Sequence, residues 1–291
     1  MDRLLLATDF STRSDRALRR AALIADKSGA AITLLHVIDD DQPKYLIERH
    51  HQAAAMLLED AVKTIRQFDR VEADMNIMTG DVASSIVQVA EEIDAAMIVV
   101  GPYRRKLKNI FIGTTAERTI ERSDRPVLMA NGMPSGVYER TFLALDLDDA
   151  SRSAVRAARA LGVIEGTVVT AMHAFDAPAA GMMKRAMEVP DAIDHYVAGE
   201  EAQARPKVEE FLAELDIRPE LLLLRPIEAV PAQSILACAE AENAELVVVG
   251  TNRRRGAERL LLRSVATEIL RQADCDVLVV PADPRGPSPK Q

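Results

Sequence analysis

With 291 residues, a net charge of −9, 48% hydrophobic and 28% charged residues, the chain has the size of two ordinary domains and apolar material for two cores. That composition excludes wholesale disorder, and the acidic balance argues against a general nucleic-acid binder, which needs a basic face. Its two cysteines, Cys238 and Cys275, are too few for a disulfide framework or a four-thiolate metal site, and both are expected to be buried small apolar residues.

The first segment, MDRLLLATDF, places an acid second and follows it with only a short apolar run, which is not the layout of a signal peptide. No apolar run approaches the ~20 residues that cross a bilayer, so the expectation is a cytoplasmic protein with no membrane partner. LLLAT reads as a strand, and a helical pattern follows it and stops near Gly29. AITLLHV, MNIM, AMIVV and VLMA then read as further strands separated by helical patterns. Several of these runs lack polar alternation, the mark of strands buried on both faces of a parallel sheet. His50 and His51 fall in a helical stretch with no His or Cys at i+4, so no metal site is expected there.

After the Gly- and Pro-bearing stretch ANGMPSGVY, the pattern begins again. LLLATDFSTRSDRALRRAA matches TFLALDLDDASRSAVRAA, with Asp9 on Asp146, Ser14 on Ser151 and Ala17 on Ala154. The same offset carries His36 onto His173 and Asp39 onto Asp176. Further on, ASSIVQVAEEIDAAMIVVGPYRR matches AQSILACAEAENAELVVVGTNRR at a larger offset, so Gly101 falls on Gly250, Arg104 on Arg253 and Arg105 on Arg254. The second half therefore carries an insertion, within DAPAAGMMKRAMEVPDAIDHY, whose Met182, Met183 and Met187 read more readily as core than as a lid or partner helix. The expected fold is α/β: two tandem open-sheet sandwiches, each a five-stranded, mainly parallel sheet with helices on both faces. The halves are expected at 1–133 and 138–282, followed by a disordered tail, 283–291.

Open parallel sheets bind ligands beyond the C-terminal ends of their strands, at the switch in strand order. Asp9 or Asp146 ends the first strand of each half, HVID or HAFD ends the second, and Gly101 or Gly250 ends the fourth before a basic loop. The first-half loop, GPYRRKLKNIFIGTT, closes on Gly113, Thr114 and Thr115 at a helix start, where free N–H groups and the dipole favour an anion. Asp9 and Asp146 are open to two readings, ligand contact or helix cap. His36 and His173 read as hydrogen-bonding side chains, since no acid–base or metal partner stands at a suggestive spacing.

On these residues each half resembles a universal stress protein domain, and the chain resembles the tandem members of that family. The resemblance implies a regulatory, stress-responsive module that binds an adenine nucleotide (ATP, ADP or AMP), with or without Mg, and needs no obligatory cofactor. It places Ala7, Thr8, Asp9, Val37, Val100, Gly101, Gly113, Thr114 and Thr115 around that ligand. A second site would use Asp146, Ala174, Gly250, Ser264 and Val265. It also implies pairing of the halves through their last strands, RPVLM and CDVLVV, as an intramolecular pseudo-dimer, with a further homodimer left open. Both halves depart from the family's Gly, two residues, Gly, nine residues, Gly, Ser/Thr motif. Arg104 replaces the second glycine and the following spacer is one residue short; in the second half Arg253 and Arg263 replace both later glycines. Arginine fills space that a phosphate needs, yet guanidinium is itself a bidentate phosphate ligand. The first half is therefore the better candidate and the second mainly structural. Two alternatives stay open: a slow ATPase, against which stands the lack of a Walker GxxxxGK[ST] motif or clear general base, and a protein-interaction scaffold with closed pockets.

Overall fold

The computed structural model describes residues 3–102, 115–187, 189–227, 230–252 and 265–282. The expected tail, 283–291, lies outside them. The first half runs β1 (Arg3–Ala7), α1 (Thr12–Ser28), β2 (Ala31–Ile38), α2 (Lys44–Thr64) with a π-helical turn (Ile65–Asp69), β3 (Ala73–Thr79), α3 (Val82–Glu92), β4 (Met97–Val100), α4 (Thr115–Arg122) and β5 (Val127–Met129). The second runs β6 (Arg140–Leu145), α5 (Asp149–Ala160), β7 (Val168–Phe175), α6 (Ala180–Arg185), α7 (Pro190–Glu214), β8 (Leu221–Pro226), α8 (Pro231–Ala241), β9 (Leu246–Thr251), α9 (Val265–Gln272) and β10 (Asp276–Pro281).

The strands bury both faces, as their unbroken apolar runs require. Leu4 and Leu6 enter the core beneath α1 and α2, while Leu5 enters the opposite one beneath α3, and all three are fully buried. Helix ends follow local chemistry. Ser11 caps α1 and Asp148 caps α5, each accepting from the N–H of the serine three residues on. Gly29 (φ 69°) and Gly162 (φ 66°) take the left-handed turn that stops the same two helices. The second half's extra residues form α6.

The two expected sheets share an edge and become one ten-stranded sheet, ordered β3-β2-β1-β4-β5-β10-β9-β6-β7-β8. Every pairing within a half is parallel, whereas β5 and β10 pair antiparallel, with Leu128 opposite Leu278. These two leucines are equivalent in the repeat, so a pseudo-two-fold axis passes between them. Equivalent helices share a face of the sheet, which sets that axis normal to it. The C-terminal rims of the two half-sheets consequently point in opposite directions.

One polar cluster closes this junction without regard to the symmetry. Asp276, fully buried, accepts from Arg20 Nε (2.7 Å), Tyr138 OH (2.7 Å) and the Gly132 N–H (2.7 Å). Arg20, from the first half, is 4% exposed, lies 4.1 Å over the Tyr138 ring and also donates to Gly136 O. Burial, then the neighbouring Asp276 carboxylate, hold the Tyr138 hydroxyl well above its ordinary pKa, so it stays a donor. A carboxylate removed from water is tolerable only when its lone pairs are filled, as they are here by three donors. Asp276→Asn is expected to cost about 3–5 kcal/mol, and Tyr138→Phe about 1.5–3 kcal/mol, in urea unfolding. Asp60→Asn, at an exposed pair with Lys63, serves as the control with little change. An Asp276→Asn midpoint equal to the control's would show that the cluster does not hold the halves together.

Candidate functional site

The strand order reverses direction at β1, which lies between β2 and β4, so the crevice beyond their C-terminal ends is the topological switch point. The registers Ala7↔Leu35 and Leu6↔Val99 bring Ala7, Thr8, Asp9, Val37, Val100 and Gly101 to one rim. Thr115 opens α4, whose other end leads into β5, so it stands at the same rim. In the second half Asp146, Ala174 and Gly250 occupy the equivalent rim and Val265 opens α9. Arg104, Arg105, Gly113, Thr114, Arg253, Arg254, Arg263 and Ser264 lie outside the described residues.

The turn after β1 is tightly organised. Asp9 Oδ1 accepts from both the N–H and the hydroxyl of Ser11, while Oδ2 meets Arg13 Nη2 at 3.3 Å. Between them Phe10 sits at φ 56°, a left-handed conformation costly for a bulky side chain, and Leu147 repeats it at φ 56°. The Phe10 ring lies 4.4 Å from that of His36, centroid to centroid. His36 Nδ1 is 2.9 Å from Thr8 O, and His173 Nδ1 is 2.9 Å from Leu145 O. A carbonyl only accepts, so each Nδ1 carries the proton and each ring ties two neighbouring strand ends together. His173 also lies within electrostatic reach of Asp146, and no group of His, Cys, Asp and Glu among the described residues is arranged to hold a metal.

The two halves differ in charge. Burial alone would raise the Asp9 pKa, but hydrogen bonds from Ser11, and Arg13 nearby, take it below the ordinary carboxylate value. Burial raises the Asp146 pKa, and the like charge of Asp148 raises it further. Asp148 stands where the first half has the neutral Ser11, and it caps α5 while accepting from Asn252 Nδ2 at 2.6 Å.

The universal stress protein family model matches the chain twice, over residues 1–131 and 138–281. This chain belongs to the universal stress protein family. A universal stress protein of Mycolicibacterium smegmatis is 27% identical across 95% of the chain and 96% of its own length. Universal stress protein MJ0531 of Methanocaldococcus jannaschii is 29% identical across 60% of the chain and 96% of its own. The crystal structure of a universal stress protein from Archaeoglobus fulgidus superposes with a TM-score of 0.73 at 19% identity, covering 96% of this chain and 98% of that one, which supports the fold.

Two sequence readings change. The methionines of the insertion are not core: Met182 is 59% and Met187 92% exposed, and only Met183 is partly covered, because α6 is too short to bring a stripe onto the sheet. Cys238 and Cys275 are partly rather than fully buried. Residues that sequence reasoning missed are Ser11, which takes the α1 cap offered to Asp9, and Phe10; the DFS triplet between β1 and α1 was the available signal.

The strand-end glycines have a packing reason. A Cβ on Gly250 would lie 2.4 Å from the Ala150 carbonyl, and one on Gly101 3.2 Å from the backbone of Arg13 and Ser14. Gly250→Ala is expected to cost about 1–3 kcal/mol and Gly101→Ala less, read by thermal unfolding; the reverse order would refute close packing as the cause. Carboxyl NMR titration should place Asp9 below, and Asp146 above, the ordinary aspartate midpoint. The signs follow: Asp9 contributes stability above its unfolded pKa that is lost as pH falls through the lower folded value. Ionised Asp146 opposes folding, and that opposition is relieved as pH falls through its raised value. Coincident midpoints would contradict the charge asymmetry.

Proposed function

We propose that the chain is a stress-response regulatory module that binds an adenine nucleotide in its first half, while the second half, whose own site has degenerated, acts mainly as structural partner. The observation that carries the reading is the convergence of three adjacent strand ends, with Thr8–Asp9, Val37 and Gly101, on the switch-point rim where α4 begins. The family resemblance supplies the ligand class: the base against the Val37 backbone, the sugar beside Asp9, and the phosphates toward the helix start at Thr115. Arg104, Gly113 and Thr114 complete that cradle in this reading, with Mg optional.

The assignment to the first half follows from charge. A pre-ionised Asp9, held by Ser11 and Arg13, is ready to accept from a sugar hydroxyl. In the second half Asp148 adds a second carboxylate beside Asp146, the equivalent of Asp9, where the first half has the neutral Ser11. The functional unit is then the pair 1–133 and 138–282 rather than either half alone. The scaffold reading keeps one observation of its own, the exposed Met182 and Met187 on and beside α6. It predicts partner capture without nucleotide.

The protein has no tryptophan and four tyrosines, so bound adenine would dominate its near-ultraviolet absorbance. ATP, ADP or AMP is expected to raise the melting temperature, and Asp9→Asn to weaken binding roughly tenfold, the loss of one charge-assisted hydrogen bond. Asp146→Asn should leave binding unchanged. No shift with any of the three nucleotides, together with no excess absorbance at 260 nm, would favour the scaffold. ATP turnover abolished by Asp9→Asn, with binding intact, would instead favour an ATPase.

A further inference from the structure

The antiparallel junction places the end of each half's last helix beside the start of the other's. At one of these meetings there is a charge pair across the halves. Arg271, in the last turn of α9, donates through Nε to Glu117 Oε1 at 2.7 Å and through Nη2 to Oε2 at 3.3 Å. Glu117 is the third residue of α4 and is buried, at 6% exposure, while Arg271 is about one-third exposed. The symmetry-related positions are Thr267 and Glu121, so the pair is not repeated.

A carboxylate in the first turn of a helix consumes part of the positive potential there. In α4 that potential is what a phosphate at the helix start would use, so Glu117 and the ligand compete for the same field. We propose that Arg271, from the second half, is a positioning residue for the first half's nucleotide site: it fixes the first turn of α4 through Glu117 and offsets that carboxylate's charge where the phosphates bind. This rests on the first-half nucleotide reading. The second half then contributes to affinity in trans, and the contribution grows with the negative charge of the ligand. Glu121, at the position equivalent to Arg271, gives the second half's helix an acid instead of a cation, in line with the loss of its site.

The test is an affinity series by calorimetry with adenosine, AMP and ATP on the full chain. Arg271→Gln is expected to weaken ATP roughly three- to tenfold, AMP less, and adenosine not at all. Arg271→Lys should retain most of the ATP affinity, since it returns the charge if not the bidentate geometry. Glu117→Gln combined with Arg271→Gln should restore it, because the repelling carboxylate is gone. Equal losses for all three ligands in Arg271→Gln, or a double variant no better than the single, would overturn the charge-offset role while leaving nucleotide binding intact. A wild-type chain that binds none of the three would instead remove the nucleotide reading, and this proposal with it. Circular dichroism melts of each variant separate loss of fold from loss of affinity.

Discussion

The antiparallel contact of β5 with β10 is the constraint on which the rest of the architecture depends. Each half by itself would end in an exposed strand edge, a row of unpaired N–H and C=O groups with apolar side chains beneath. β5 is only three residues long, so backbone hydrogen bonds alone give the junction little. Leu128 and Leu278, fully buried at its centre, supply the apolar contribution, and the cluster around Asp276 supplies a directional one. Pro126 stands where symmetry would put a second Asp276, and Ala157 where it would put a second Arg20. A tandem chain can hold one ion pair at such a junction, whereas two identical subunits would have two or none. A buried pair gains little over a well-packed apolar contact, but loss of either partner leaves the other charge buried and unpaired, so the junction depends on both.

That junction also decides how the halves can influence each other. With the rims pointing oppositely, the two crevices cannot share a ligand, and the halves meet through the paired strands and the helices that cross the seam. α4 and α9 each begin at their own rim and end near the other's, and α1 also reaches the second half through Arg20 and Lys27. The Glu117–Arg271 pair and the Asn131 amide, which donates to Ala273 O and Cys275 O, both tie the end of α9 to the first half.

Much of this was legible in the chain because the repeat doubles every signal. Unbroken apolar runs such as AMIVV marked buried parallel strands, Gly29 and Gly162 marked helix stops, and the shift in offset located the insertion. The pairing of the last strands follows from the family resemblance and from the need of an exposed strand edge for a partner. Asp276 carried no signal, since an aspartate at the start of an apolar strand looks solvated until the fold shows Arg20, some 256 residues away, arriving beside it. The choice between ligand contact and helix cap at Asp9 stays open in the sequence for a related reason. Asp9 and Ser11 both have capping side chains, and only the left-handed Phe10 between them turns Asp9 away from the helix to brace Ser11. Periodicity failed for the methionines because α6 is shorter than two turns, too short for a stripe to define a face.

The fate of the glycines separates the two tasks that a phosphate loop combines. Gly250 persists in a half whose later motif positions have become Arg253 and Arg263. A site kept only for ligand binding would release all three positions together. The backbone gives the reason for the difference: the end of β9 passes so close to the first turn of α5 that a Cβ on Gly250 would meet the Ala150 carbonyl at 2.4 Å. The leading glycine is thus required by strand–helix packing, and packing is what the second half must retain to hold β10 against β5. The same division explains Asp148. As a helix cap it serves α5 as Ser11 serves α1, and it also sets a second carboxylate beside Asp146. The second half keeps, at Gly250 and Asp148, what its strand–helix packing needs.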